Sequence, residues 1–299
     1  MAGFTRSVLI ACTVLTATAL TVTVGAYVHA GAAPVPVVSA ASGSSAASGS
    51  SAVPASSAVP ATVLPPVNAK FDYQIGAAYP PPSGVRVVSR DRQDPTAANL
   101  YNICYVNAFQ VQPDEVDWWQ SQHDDLLLRD SDGDYVVDGD WNEILLDIST
   151  SAKRAAIAGI VQSWFDGCAR AGYQAIEPDN IDSYERSKDL LGIDDAVAYL
   201  ELLAPHAHEM GLAIGQKNTT DLGTRGRSAG LDFAIAEECG RYHECDYFTG
   251  VYGDNVIVIE YTDSAFTKAC SAVGDEVSVV RRDVGVTAPG SGTYRYGSC

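Results

Sequence analysis

The sequence predicts an α/β fold: a (β/α)8 TIM-type barrel with an irregular, shortened first crossover and an extra C-terminal strand. Three observations lead there. Residues 67–299 are long enough for one large domain with a well-buried core. Within them, short apolar runs alternate with amphipathic helical patterns, the signature of parallel strands joined by helices. Nearly every apolar run ends in polar or charged residues, as strands of a barrel do when a site is built on their C-terminal ends.

Nine runs are candidate strands: Tyr73 to Ala78, Val85 to Ser89, Ile103 to Phe109, Ile144 to Ile148, Ala175-Ile176, Leu212 to Gly215, Phe233 to Ala236, Val256 to Ile259 and Val277 to Val280. The ninth is expected to lie outside the closed barrel. The later runs are separated by helices: Ala152 to Ala171 carries Ile157, Ile160, Val161 and Trp164 on one side, and Ile193 to Met210 is closed by Gly211. Between the first two runs only Pro80-Pro-Pro-Ser-Gly84 intervenes, whereas a parallel crossover takes about a dozen residues. The start is therefore expected to be an irregular barrel or an antiparallel pair.

The N-terminal 30 residues hold one basic side chain, Arg6, then an apolar, Thr-rich run and Val28-His29-Ala30. This reads as a secretory signal peptide over residues 1–30, placing the mature chain outside the cell. Leu9-Ile10-Ala11-Cys12 resembles a lipobox, but cleavage there leaves about five apolar residues where a signal needs roughly seven to fifteen. An uncleaved signal anchor would also leave the domain outside. Residues 31–66 are Ala, Ser, Pro, Val and Gly-rich and uncharged, a disordered linker or stalk. No later run is long enough to cross a membrane, so none is expected once the signal is cleaved.

Without Cys12, six cysteines remain, an even set that suggests three disulfides in an exported chain. Cys239 with Cys245 would close a local loop and Cys270 would tie down Cys299, leaving Cys104 with Cys168; this is one of fifteen pairings. All 37 acidic residues follow the linker, against 18 of the 19 Lys and Arg. Such a domain is no partner for nucleic acid. Acidity can serve solubility alone, or draw a cationic substrate toward an acidic cleft.

Placing the strand ends on one rim gathers Asp72, Tyr79, Arg90, Asp91, Asn107, Gln110 and Asp147. Next come Glu177, Asp179, Asp182, Gln216, Lys217, Asn218, Glu237, Glu238, Glu260, Tyr261 and Asp263. So many polar groups on one rim call for a polar ligand. The densest part is Glu177-Pro-Asp-Asn-Ile-Asp182, where alternation sends Glu177 and Asp179 to one face. In the other pair only one of Glu237 and Glu238 can face inward, and parity leaves the choice open. Two carboxylates are what glycosidic cleavage requires: one as nucleophile or base, one as acid.

Other chemistries find less support. Asp130-Ser-Asp-Gly-Asp134 invites a calcium reading, but Tyr135 and Trp141 fall where an EF-hand needs Gly and Glu, so a solvated hairpin turning at Asp132-Gly133 is expected. There is no G-x-S-x-G elbow or phosphate loop, and no metal or cofactor is expected. Asn218-Thr-Thr220 is a glycosylation sequon abutting the rim. Trp118, Trp119, Trp141 and Tyr184 are candidates for sugar stacking or for the core.

Taken together, Phe71-Asp-Tyr-Gln-Ile-Gly76, Val88-Ser-Arg-Asp91, Ile103-Cys-Tyr-Val-Asn-Ala-Phe109, Glu177-Pro-Asp-Asn180, Gly215-Gln-Lys-Asn218 and Ala236-Glu-Glu-Cys-Gly240 resemble the glycoside hydrolase family 114 domain. The resemblance covers residues 68–299. It implies a (β/α)8-type fold and an endo-α-1,4-polygalactosaminidase acting on partly deacetylated galactosaminogalactan, whose unacetylated sugars are cationic. It also implies an aspartate after the fifth strand and a glutamate after the seventh as the catalytic pair. These are Asp179, as nucleophile of a retaining mechanism, and Glu237, as general acid and base, with Glu238 the alternative. Asp72, Tyr79, Asn107, Glu177, Asp182, Lys217, Glu238 and Glu260 would be substrate-binding or supporting residues, chiefly from their strand-end positions. A monomer is expected. The rival readings are a non-catalytic carbohydrate-binding module at the cell surface and a glycosidase for another α-linked polysaccharide.

Overall fold

The structure is a computed structural model in which residues 61–299 are described. The predicted signal peptide and most of the predicted linker lie outside them. Among the described residues no helix is long and apolar enough to cross a membrane.

Eight parallel strands form the barrel: β1 (Phe71–Tyr73), β2 (Val87–Asp91), β3 (Tyr101–Asn107), β7 (Ala175–Asp179), β8 (Ala213–Lys217), β9 (Phe233–Glu237), β10 (Val256–Glu260) and β11 (Ser278–Arg282). The C-terminal β12 (Tyr296–Ser298) pairs antiparallel with β11. The barrel is nearly closed: ladder hydrogen bonds join each strand to the next, but none joins β11 to β1. A buried ion pair spans that seam, Arg282 Nη1 standing 3.1 Å from Asp72 Oδ1 with both side chains fully buried.

Alternation along the strands separates two cores. Phe71, Tyr73, Val87, Ile103, Ala175, Ala213, Phe233, Ile235, Ile257, Ile259 and Val280 fill the interior. The intervening residues, among them Cys104, Val106, Ile176, Ile214, Ala234, Ala236 and Val258, pack outward against the helices. The chief helix there is α2 (Ser151–Ala171), which begins where the Thr150 side chain accepts from Lys153 N–H and ends at Gly172 with φ 88. It buries Ile157, Ala158, Val161, Phe165 and Cys168. The helix α3 (Ile193–Glu209) is capped by Asp195, whose carboxylate accepts the Gly192 N–H, and buries Tyr199, Leu200 and Leu203. The short α4 (Arg225–Ser228) lies between β8 and β9, α5 (Cys239–Tyr242) and α6 (Cys245–Tyr252) stand between β9 and β10, and α7 (Asp263–Val273) follows β10.

Three sequence expectations need correction. Of the two expected openings, the irregular barrel holds and the antiparallel pair does not: the first two strands are parallel, and because β1 stops at Tyr73, residues 74–86 form the crossover and have the length to return without a helix. The run Ile144 to Ile148 is not a barrel strand. Residues 108–150 make an excursion between β3 and α2, holding the short helix α1 (Val116–Gln122) and a three-stranded antiparallel sheet. Its strands are β4 (Gln110–Val111), β5 (Val137–Asp138) and β6 (Glu143–Leu145), in the order β4-β6-β5. Conversely, Val277 to Val280 belongs to the barrel as its eighth strand, and the extra C-terminal strand is β12. An apolar run reads alike in either setting, which is why the two were exchanged.

The missing helices leave a mark: a groove of about 490 Å³ outside β2, lined by Tyr79, Pro80 to Pro82, Val85, Pro95 and Leu100. All three expected disulfides are present, Cys104–Cys168, Cys239–Cys245 and Cys270–Cys299. The first ties β3 to α2. The Asp130 to Asp134 segment is a hairpin turn flanked by an Arg129–Tyr135 bridge, with Gly133 at φ 86.

Candidate active site

At the C-terminal mouth of the barrel a single buried ammonium gathers three carboxylates. Lys217, at the end of β8, is 2% exposed. Its Nζ lies 3.1 Å from Glu177 Oε1, 3.0 Å from Asp179 Oδ1 and 3.3 Å from Glu237 Oε2. Each group comes from an inward-facing strand position: Glu177 and Asp179 continue the parity of Ala175, Lys217 that of Ala213, and Glu237 that of Phe233 and Ile235.

The three carboxylates have different surroundings. Glu177 is fully buried, accepting from Ser89 Oγ at 2.5 Å and Tyr73 O–H at 3.0 Å. Burial raises its pKa, which Lys217 opposes. Asp179 accepts from Tyr105 O–H at 2.6 Å, from Lys217 at 3.0 Å and from the Asn180 backbone N–H at 2.8 Å. Burial pushes its carboxyl up, but Lys217 and these donors outweigh it and hold the group below the ordinary aspartate range. Asp179 is thus an ionised carboxylate at neutral pH. Glu237 accepts from Asn218 Nδ2 at 3.0 Å and from the Tyr261 O–H, while its backbone N–H donates to Asn218 Oδ1 at 2.8 Å. Lys217 itself is driven well above its usual value: burial lowers it, and Asp179, Glu237 and Glu177 together overcome that. The phenols of Tyr73, Tyr105 and Tyr261 are pushed up, first by burial, and remain O–H donors.

Residues just beyond the strand ends complete the wall. Asn180, in the left-handed region at φ 64, sends its amide to Asn107 Oδ1 at 3.0 Å and Glu143 Oε2 at 3.4 Å. Asn107, buried at the end of β3, donates to the same Glu143 oxygen at 2.8 Å. Burial, reinforced by Asp179 and Asp138, pushes the Glu143 carboxyl up to about 7 against the Asn107 hydrogen bond.

Several rim expectations are not met. Glu238 sits at φ 58, where the chain turns, and pairs with Arg241 at 2.8 Å, apart from the carboxylates around Lys217. Glu260 has the outward parity of Val256 and Val258; it is fully buried, accepts from Gly240 N–H at 2.6 Å and adjoins the Cys239–Cys245 disulfide. Asp72 likewise points away from the interior and is consumed by Arg282, Tyr79 O–H and the Gln74 amide. Tyr79 thereby braces the seam pair through its hydroxyl. Asp182 pairs with Arg186 at 2.8 Å, and Asp147 with Lys153. The Asn218 sequon side chain is committed to Glu237. Trp119 is core, whereas Trp141 is 59% exposed.

Sequence reasoning missed Tyr73, Ser89, Tyr105, Asn180 and Glu143. For Ser89 and Tyr105 a signal existed: they share parity with Val87 and Ile103. For Glu143 none did, because its place depends on how the excursion folds back.

Two carboxylates held by one cation at the mouth of a (β/α)8 barrel, one firmly ionised, can carry out nucleophilic and acid–base steps on a glycosidic bond. Residues 51–298 match the model of glycoside-hydrolase family GH114. The chain belongs to that family. It is therefore a glycoside hydrolase. Among solved structures, this GH114 chain is similar to Ega3 of Aspergillus fumigatus, determined in complex with galactosamine, at 23% identity and a TM-score of 0.65, covering 80% of this chain and 98% of that one. It is also similar to the glycoside hydrolase domain of PelA from Pseudomonas aeruginosa, in a variant form, at 14% identity and a TM-score of 0.50, covering 76% and 98%. At these identities the likeness is one of fold. No curated protein sequence matches the chain.

Proposed function

We infer that the chain is an exported endo-acting hydrolase of α-1,4-linked galactosamine polymers, with Asp179 as nucleophile and Glu237 as general acid and base. The observation that carries this is the sharing of Lys217 by the two carboxylates. Asp179, with three donors and a depressed pKa, has the character of a nucleophile. Glu237 accepts from the Asn218 amide and the Tyr261 O–H, which fix its orientation, and stands across the same ammonium. Because Lys217 Nζ touches both, their nearer oxygens can be no further apart than the 3.0 and 3.3 Å contacts laid end to end. That suits a retaining enzyme, with carboxyls about 5–5.5 Å apart, better than the roughly 6.5–9.5 Å left for water in an inverting one.

The substrate class draws support from family membership, from the galactosamine named in the Ega3 complex, and from the acidic surface, which attracts a cationic polymer. Export draws support from the three disulfides. In the reaction, Asp179 attacks the anomeric carbon while Glu237 protonates the departing oxygen; Glu237 then deprotonates the water that releases the sugar.

Incubation with de-N-acetylated galactosaminogalactan should release new reducing ends of retained α configuration, read by proton NMR in the first minutes. Binding of the polymer without new reducing ends would make the chain a carbohydrate-binding module instead, and initial β product would replace the nucleophile with a base.

A further inference from the structure

Glu143 stands apart from the other acids of the mouth. Asp179, Glu177 and Glu237 share Lys217, and Asp138 and Asp182 stand within ion-pair distance of Arg186. Glu143 has no ion-pair partner among the described residues. One of its oxygens, Oε2, is fixed by the Asn107 and Asn180 amides; for Oε1 the described residues supply no hydrogen bond. The side chain is half-buried, so that oxygen is neither sealed away nor neutralised.

Asn180 relates Glu143 to the reaction centre. Its backbone N–H holds Asp179 at 2.8 Å and its side-chain amide holds Glu143 at 3.4 Å, so the two carboxylates flank one residue. In a 2-amino sugar the nitrogen is on C2, one bond from the anomeric carbon. Whatever recognises the nitrogen of the sugar attacked by Asp179 must therefore stand beside Asp179. As the leaving oxygen departs, C1 becomes positive, and an ammonium on C2 opposes that charge; a carboxylate facing the ammonium relieves the opposition.

Resting on the reading that Asp179 attacks an amino sugar, we propose that Glu143 is the specificity-determining residue that pairs with the free C2 ammonium of the sugar bound at Asp179. It thereby selects de-N-acetylated over N-acetylated residues at that position. The raised pKa is consistent: burial, reinforced by Asp179 and Asp138, outweighs the pull of the Asn107 hydrogen bond and the Arg186 charge, and a cationic ligand would ionise such a carboxyl. An acetamide carries no charge and cannot make the pair.

The test compares wild type, Glu143→Gln and Glu143→Asp on fully de-N-acetylated and fully N-acetylated galactosaminogalactan, scoring kcat/KM from new reducing ends. The Gln variant should lose about tenfold to a hundredfold on the free-amine polymer, the range for a hydrogen bond to a charged group. It should change less than about twofold on the acetylated one, with partial recovery in the Asp variant. Equal loss on both polymers would make Glu143 a brace for Asn107 and Asn180 and overturn the proposal, as would no loss on either. If wild type cleaves neither polymer, the proposed hydrolysis falls. The question then passes to calorimetric binding of galactosamine and N-acetylgalactosamine oligosaccharides to Asp179→Asn protein. Weakening by Glu143→Gln of the free-amine ligand alone upholds the selectivity, and equal binding of both ligands overturns it.

Discussion

Lys217 Nζ stands 3.0 Å from Asp179 Oδ1, and this contact sets the ionisation of the mouth. Without the ammonium, Asp179 keeps the burial that raises its pKa and loses the largest opposing influence. Replacing Lys217 with Met should therefore shift the acid limb of the kcat/KM profile to higher pH. A carboxylate with a depressed pKa stays ionised as pH falls, and one with a raised pKa protonates sooner. Activity at neutral pH should drop by about a hundredfold or more, as for loss of one preorganised electrostatic contact. An acid limb that does not move would detach Lys217 from the ionisation of the nucleophile.

Glu237 and Glu238 are neighbours in sequence and opposites in structure. Glu237→Gln should reduce hydrolysis by at least about a thousandfold, whereas Glu238→Gln, which breaks only a half-exposed pair with Arg241, should leave rates within about twofold. Reducing-end assays on both, with circular dichroism to verify folding, decide it; the reverse ranking would move the acid–base role to Glu238.

The seam pair should behave as a buried ion pair does. Truncating one partner, by Asp72→Ala or Arg282→Met, leaves the other charge buried and should cost about 3–5 kcal/mol in urea unfolding. The double variant should lose less than the sum of the two. Single losses under about 1 kcal/mol would show that the seam is held elsewhere.

Glu260 predicts a pH slope in stability. Burial lifts its carboxyl from 4.5 to about 7 in the folded chain. Below about pH 4.5 both folded and unfolded chains hold the proton. Between there and 7 the unfolded chain releases it first, so stability falls as pH rises, and above 7 the penalty is constant. Glu260→Gln keeps an oxygen for the Gly240 N–H and abolishes the penalty, so its melting temperature should exceed wild type at pH 8 and match it near pH 4. A stabilisation equal at both pH values would point to packing instead.

What could be read in advance follows the physics of each signal. The helix–strand alternation, the even cysteine set and the acids ending two strands are local or compositional, and each survived folding into the barrel. The choice between Glu237 and Glu238 was not local: apolar residues cover both faces of a parallel strand, so parity cannot name the inner one. Asp72 and Glu260 were assigned to the rim because a strand end alone does not tell whether a side chain turns into the barrel or behind it. Glu143 was invisible because nothing in residues 108–150 specifies that the excursion returns over the mouth.

The pair that spans the seam joins residues 210 positions apart in the chain. During synthesis, Asp72 must therefore wait, its carboxylate without this partner, until Arg282 has emerged. Closure is thus a late event, and the early strands have an unpaired edge for most of translation. Contacts so distant in sequence slow folding and prolong exposure to aggregation. The yield of folded protein should accordingly depend on how quickly the last strands follow the first.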